Sequence, residues 1–157
     1  GHDTNACNIA RRLGGGGHPR AAGCEISGNL DNAKHAVKEG GVVVLIGSCR
    51  EGLGEKTFEQ WMTSAPTAHS MIERIGQDFQ LGGHKAAAIA MVLEKAQIYL
   101  VSEMEPEFVK SLFLTPFSTA QQAFDAAMAR LGPSATVLAM PYGGSTLPRV
   151  AGENGGT

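Results

Sequence analysis

Three short apolar runs divide the chain, and stretches with helical spacing separate them. Residues 42–46 (Val-Val-Val-Leu-Ile) are aliphatic throughout, mostly β-branched, and bounded by Gly40-Gly41 and Gly47. A run that short between turn formers predicts a strand buried on both faces, the signature of a parallel sheet covered by helices. Residues 98–101 (Ile-Tyr-Leu-Val) and 136–140 (Thr-Val-Leu-Ala-Met) predict two more strands.

Between the first two runs, Thr57 is placed to cap a helix carrying Phe58, Trp61 and Met62, which Pro66 ends. A second helix over 70–79 aligns Ile72, Ile75 and Phe79. A third over 82–96 is apolar nearly all round, so it must be covered on most sides. Pro106 suits the first turn of a helix through Phe108, Val109 and Leu112. Ser118 followed by Gln121 has the form of a capping box, leading a helix with Ala123, Phe124, Ala127 and Met128 on one side.

Upstream, Ala6, Ile9, Ala10 and Leu13 share helical spacing until Gly14–Gly17 stop the pattern. A short strand over 24–27 and a helix begun by Asn29 or Asp31 follow. The predicted fold is α/β: a three-layer, Rossmann-like, mostly parallel sheet flanked by helices, with a small N-terminal α/β lobe. Residues 1–38 form that lobe, 39–150 the main domain, and 151–157 a glycine-rich tail.

In such sheets ligands gather beyond the carboxyl ends of the strands. Three polar, turn-rich segments are expected on that rim: 49–54, Ser102-Glu103, and 142–146. In the first, Arg50 is suited to clamp a carboxylate or phosphate, while Gly52 and Gly54 admit close backbone approach. The competing reading is a tight turn with a solvated Arg50–Glu51 pair. His84 and Lys85 open the apolar helix, where the helix dipole attracts anions, or they are simply its solvated end. Tyr142 and Ser145 supply hydroxyls on the third segment, or belong to a structural terminus. Gly15, Gly16, Gly17, His18 and Arg20 have the makings of an anion nest with two side-chain donors, and compete with a linker reading.

Composition narrows this picture. The 157 residues are 43% hydrophobic and 18% charged, which is globular rather than disordered, and enough for one ordinary domain. A net charge of −2 and a pI near 6.2 give no bulk attraction to nucleic acid. Cys7, Cys24 and Cys49 are odd in number and lack metal-type spacing, which favours free thiols in a reducing, cytoplasmic setting. No apolar run reaches the length of a membrane span, so no membrane partner is expected.

From about residue 40 to 148, GGVVVLIGSCREGLG, FQLGGHKAAAIA, IYLVSE and MPYGGSTLP resemble the C-terminal domain of the lactate racemase family. That resemblance implies a domain, inactive alone, closing over a site housed in an N-terminal catalytic domain absent from this chain. In that family the cofactor is a nickel-pincer nucleotide, and the reaction inverts the carbinol carbon of a small 2-hydroxy acid by hydride transfer. The Tyr-Gln-x-x-Lys motif that contacts substrate in the family has no counterpart upstream of Gly40. No catalytic residue and no metal ligand is assigned within this chain.

From about residue 5 to 37, NIARRLGGGGHPRAAGC resembles the DHH-associated C-terminal domain of DHH phosphoesterases, whose Gly-Gly-Gly-His motif contacts a nucleotide or phosphodiester. This implies a nucleotide or short oligonucleotide partner as the alternative function. A chimera without activity is the third reading.

Overall fold

The computed structural model describes residues 38–140, together with the backbone of two short strands, Gly16–His18 (β1) and Ala21–Gly23 (β2). The chain divides into two units, Val37–Thr136 and one joining Gly1–Ala36 to Val137–Thr157. In the first, the order is β3 (Val42–Ile46), α1 (Lys56–Ser64), α2 (Ala68–Gln77), α3 (Gly83–Leu93), β4 (Gln97–Val101), α4 (Pro106–Ser111), β5 (Thr115–Phe117) and α5 (Ala120–Leu131).

The three strands are parallel in the order β3-β4-β5, with Val42 opposite Gln97, Ile46 opposite Val101, and Tyr99 opposite Thr115. Ile98 to Val101 of the central β4 are all buried. Successive strand residues point to opposite faces. Tyr99 and Val101 pack with Val42, Val44, Phe117 and the Ala123 and Ala127 face of α5. Ile98 and Leu100 therefore face the other side, where α3 packs on β4 with α1 and α2 beyond it. The result is the expected three-layer α/β sandwich, of the helix–sheet–helix kind.

Several local expectations are corrected. Residues 135–140 form no strand; the third strand is β5, only three residues long and carrying Pro116. Proline cannot donate to a ladder and is confined to edges, and among the described residues β5 ends the sheet on that side. The first strand is not buried on both faces. Among the described residues it is an edge strand, in which Val42–Val44 are half-buried while Leu45 and Ile46 are 48% and 68% exposed. Glu55, not Thr57, caps α1, its carboxylate accepting from the Thr57 and Phe58 amides at 2.8 Å each. Thr119, not Ser118, caps α5 by accepting from the Gln122 amide.

In the N-terminal segment, β1 pairs antiparallel with β2, placing Gly16, Gly17 and His18 opposite Gly23, Ala22 and Ala21. Those glycines are strand residues rather than the loop the sequence predicted. The helices expected over 5–13 and from Asn29 or Asp31, and the strand over 24–27, lie outside the described residues.

The larger core explains the Gly82-Gly83 pair. Trp61, 1% exposed, lies under the first turn of α3, and a Cβ on Gly83 would stand 2.6 Å from its ring. Gly83, Ala86, Ala87 and Ala90 recur at helical spacing and are all buried, so α3 presents a stripe of small residues to its neighbours. The indole N–H donates to Gln80 at 3.0 Å, and the Arg74 guanidinium lies 4.1 Å from the ring centroid. Gly82, at φ +95°, adopts the left-handed backbone that favours glycine.

Gly83→Ala is therefore expected to destabilise the domain by about 1–3 kcal/mol through overpacking. Gly76→Ala, at a helical position open to solvent, is expected to stabilise it by up to about 1 kcal/mol. Urea unfolding of both variants checks the contrast.

His69 gives a second expectation. Its Nδ1 lies 2.5 Å from Glu94 and its Nε2 3.8 Å from Glu73, linking the start of α2 to the end of α3. The hydrogen bond to Glu94, then the charges of Glu94 and Glu73, raise the imidazole pKa. A group raised on folding contributes stability below its unfolded pKa and loses it as pH rises through the folded one. Thermal unfolding of wild type should therefore fall relative to His69→Gln across that window, and the gap should be constant if the pairs are inert.

Candidate functional site

The chemistry collects where β3 and β4 end. Their parallel ladder continues past the strands: the Gly47 amide donates to the Val101 carbonyl at 3.0 Å, and the Glu103 amide to the Ser48 carbonyl at 3.2 Å. The two outgoing loops are thus stitched side by side. Cys49 then takes φ +50°, and Gly52 and Gly54 take +62° and +74°. The Gly52 amide closes the turn on the Cys49 carbonyl. This run of left-handed residues reverses the chain before α1, and Gly52 and Gly54 supply two of them without a Cβ penalty.

Across the seam, Arg50 Nε and Nη2 donate to Glu103 Oε2 and Oε1, each at 3.0 Å. Both side chains are largely exposed, at 76% and 58%. The Arg50 hydrogen bonds, and then its charge, hold the Glu103 carboxyl below the usual carboxylate range. An exposed pair of this kind adds little to stability, but it is bidentate and joins residues 53 apart in sequence. It orients a guanidinium over an open groove of about 420 Å³ lined by Cys49, Arg50, Gly52, Glu103, Met104, Glu105 and Phe108. The groove has an apolar wall, a cation and two carboxylates, an arrangement able to hold a small amphiphilic anion.

Arg50 and Gly52 of the predicted site residues line this groove, and Gly54 closes the same loop. His84 and Lys85 do not line it. At the start of α3, His84 stacks on Phe79 and its Nδ1 accepts from the Gly82 amide, while Lys85 helps hold the Glu55 carboxyl below its usual range. The larger causes there are the Thr57 and Phe58 amides that Glu55 caps. The chain's own Glu55 carboxylate is the anion whose charge Lys85 influences here. Gly15, Arg20, Tyr142 and Ser145 lie outside the described residues. Gly16, Gly17 and His18 lie in β1, of which only the backbone is described.

Glu103 stood on the expected rim without an assigned role, and Met104 and Phe108 escaped the sequence reading of the site. The signal was partly present, since Glu103 ends the second buried run on the same rim. Its pairing with Arg50 rather than the adjacent Glu51 depends on strand register, which local sequence does not give.

A parallel sheet with a polar groove beyond its strand ends defines an α/β lobe, with the groove where such folds commonly take ligands. The chain belongs to the lactate racemase C-terminal domain family, whose match spans residues 25–147. A lactate racemase from Thermoanaerobacterium thermosaccharolyticum is 25% identical over 119 residues, which is 73% of this chain but 28% of that protein. The structure of the lactate racemase apoprotein from the same organism superposes with a TM-score of 0.59 at 21% identity. That likeness covers 66% of this chain and 26% of the other, and at this identity it speaks for the fold alone. This chain thus spans under a third of the length of the racemase it resembles.

The family match begins downstream of the Gly14–Arg20 motif, so the nucleotide-binding reading rests on sequence resemblance alone. No group of three His, Cys, Asp or Glu side chains among the described residues has the placement to hold a metal ion. These residues do not fit a nickel site of their own. Nor, among them, is any helix long and apolar enough to cross a membrane.

The site's electrostatics lead to one direct expectation. In a carbon-detected NMR titration, the Glu103 carboxyl should titrate below the usual carboxylate range, and Arg50→Ala should return it to that range. Glu55, held by its own helix cap, should not move between the two proteins. A Glu103 midpoint indifferent to Arg50→Ala would remove the pair from solution.

Proposed function

We propose that this chain is the C-terminal lobe of a 2-hydroxy-acid racemase or epimerase of the lactate racemase type. Its groove at the ends of β3 and β4 forms one wall of a cleft whose other wall is an N-terminal catalytic domain. The observation that carries this reading is the family match over residues 25–147, joined to the position of Arg50 in that groove. In this reading, residues 39–150 form the closing domain.

Arg50 contacts the substrate carboxylate, which holds the carbinol carbon at a fixed distance from the groove wall. Met104 and Phe108 shield the substrate's apolar end and exclude water on closure. Gly52 and Gly54 keep the loop backbone low enough for that approach. A nickel-pincer nucleotide in the N-terminal domain would supply hydride abstraction and return. The residues of this chain bind and orient, and catalytic groups are left to the other domain.

The test joins the 157-residue chain to a cofactor-loaded N-terminal domain of a lactate racemase and follows interconversion of 2-hydroxy-acid enantiomers by chiral chromatography. Activity above that of the N-terminal domain alone is the expected result. Arg50→Ala should lower it about 10- to 100-fold, the scale of a lost charge-assisted contact. Absence of both binding and turnover over a panel of 2-hydroxy acids would overturn the reading.

A further inference from the structure

We propose that Glu103 is a specificity-determining residue of the Arg50 site, setting it for a ligand group that carries one negative charge rather than two. This rests on Arg50 being the anion contact of the groove. A guanidinium offers two edges to a planar acid: the side formed by Nε and Nη2, and the end formed by Nη1 and Nη2. Glu103 occupies the side edge with both of its oxygens, at 3.0 Å each. The end edge has no hydrogen-bond partner among the described residues, so an incoming acid has a bidentate seat without displacing Glu103.

The occupied edge changes what that seat selects. Arg50 and Glu103 together are neutral, and Glu105 lines the same groove with a further negative charge. An acid on the end edge sits across one guanidinium from Glu103, about 7 Å away in a water-like dielectric. At low ionic strength one unit charge at that distance weakens a monoanion about two- to threefold, and a dianion about five- to sevenfold. Glu103 thereby shifts the site's preference away from a phosphate dianion and toward a monocarboxylate. The Arg50 charge alone would favour the dianion, so the opposing shift comes from the carboxylate beside it.

Glu103→Gln separates charge from shape, since glutamine keeps an oxygen able to accept from the same guanidinium edge. The full 157-residue chain, labelled with nitrogen-15, is titrated with lactate and, separately, with inorganic phosphate at pH 8 and low, matched ionic strength. The Arg50 Nε–H resonance reports binding. Glu103→Gln should tighten both anions and shift the lactate-to-phosphate Kd ratio about two- to threefold toward phosphate. Glu103→Asp, which restores the charge, should return the wild-type ratio.

A ratio unchanged in Glu103→Gln, or shifted equally in Glu103→Asp, overturns the assignment to Glu103. The parent reading fails separately. Wild type that binds neither anion, or Arg50→Ala that binds both as wild type does, removes Arg50 as the contact. Loss of binding in Arg50→Ala with a fixed ratio in Glu103→Gln removes only the role of Glu103.

Discussion

The close approach of Trp61 to the backbone of Gly83 is the constraint on which the geometry of the site depends. It fixes α1 against the first turn of α3, and α1 begins at the Glu55 cap, one residue after the Arg50 loop ends. At its other end the loop is held by the ladder that runs on from β3 and β4 through Gly47 and Ser48. A segment of eight residues, 47–54, is thus pinned on both sides. Three consecutive sharp features, at Cys49, Gly52 and Gly54, take up the reversal between those anchors. Arg50 is displayed by a scaffold rather than by a free loop, a better basis for holding a ligand in one place.

Much of this was legible in the sequence, and what was missed has physical reasons. The runs at 42–46 and 98–101 predicted a parallel pair, because strands that need helices on both sides are continuous in their apolar character. The run at 136–140 has the same character but no ladder in the structure, so apolar β-branched composition alone does not make a strand. Conversely, β5 was invisible. Three residues centred on Pro116 carry no periodicity, and proline normally argues against a strand unless it lies at an edge. The caps were misplaced by one or two residues because Glu55 and Thr119 compete with equally plausible neighbours.

The site was legible in one half only. The glycines and Arg50 announced the loop after β3, since such residues are common where a strand turns toward a ligand. Its partner on the neighbouring loop depended on register: the parallel alignment of Ile46 with Val101 brings Ser48 beside Glu103. The N-terminal glycine motif illustrates the same limit. Four glycines suggest a loop from composition, yet two of them pair in β1 with Ala22 and Gly23.

Two basic positions near the same loop have opposite standing, and the difference lies in how their counter-charges are held. Beside Lys85, the Glu55 carboxylate is fully engaged: it caps α1 with both oxygens and abuts Gly82, where no side chain would fit. A ligand that displaced Glu55 would have to break a helix cap worth about 1 kcal/mol. Beside Arg50, the Glu103 carboxylate is exposed, satisfies one edge of the fork and caps nothing. The cation at the groove therefore retains an edge for a second acid, while the carboxylate near the cation at α3 is committed to a helix cap. This contrast, more than the glycine content the two segments share, supports the proposal of a binding groove at the end of β3.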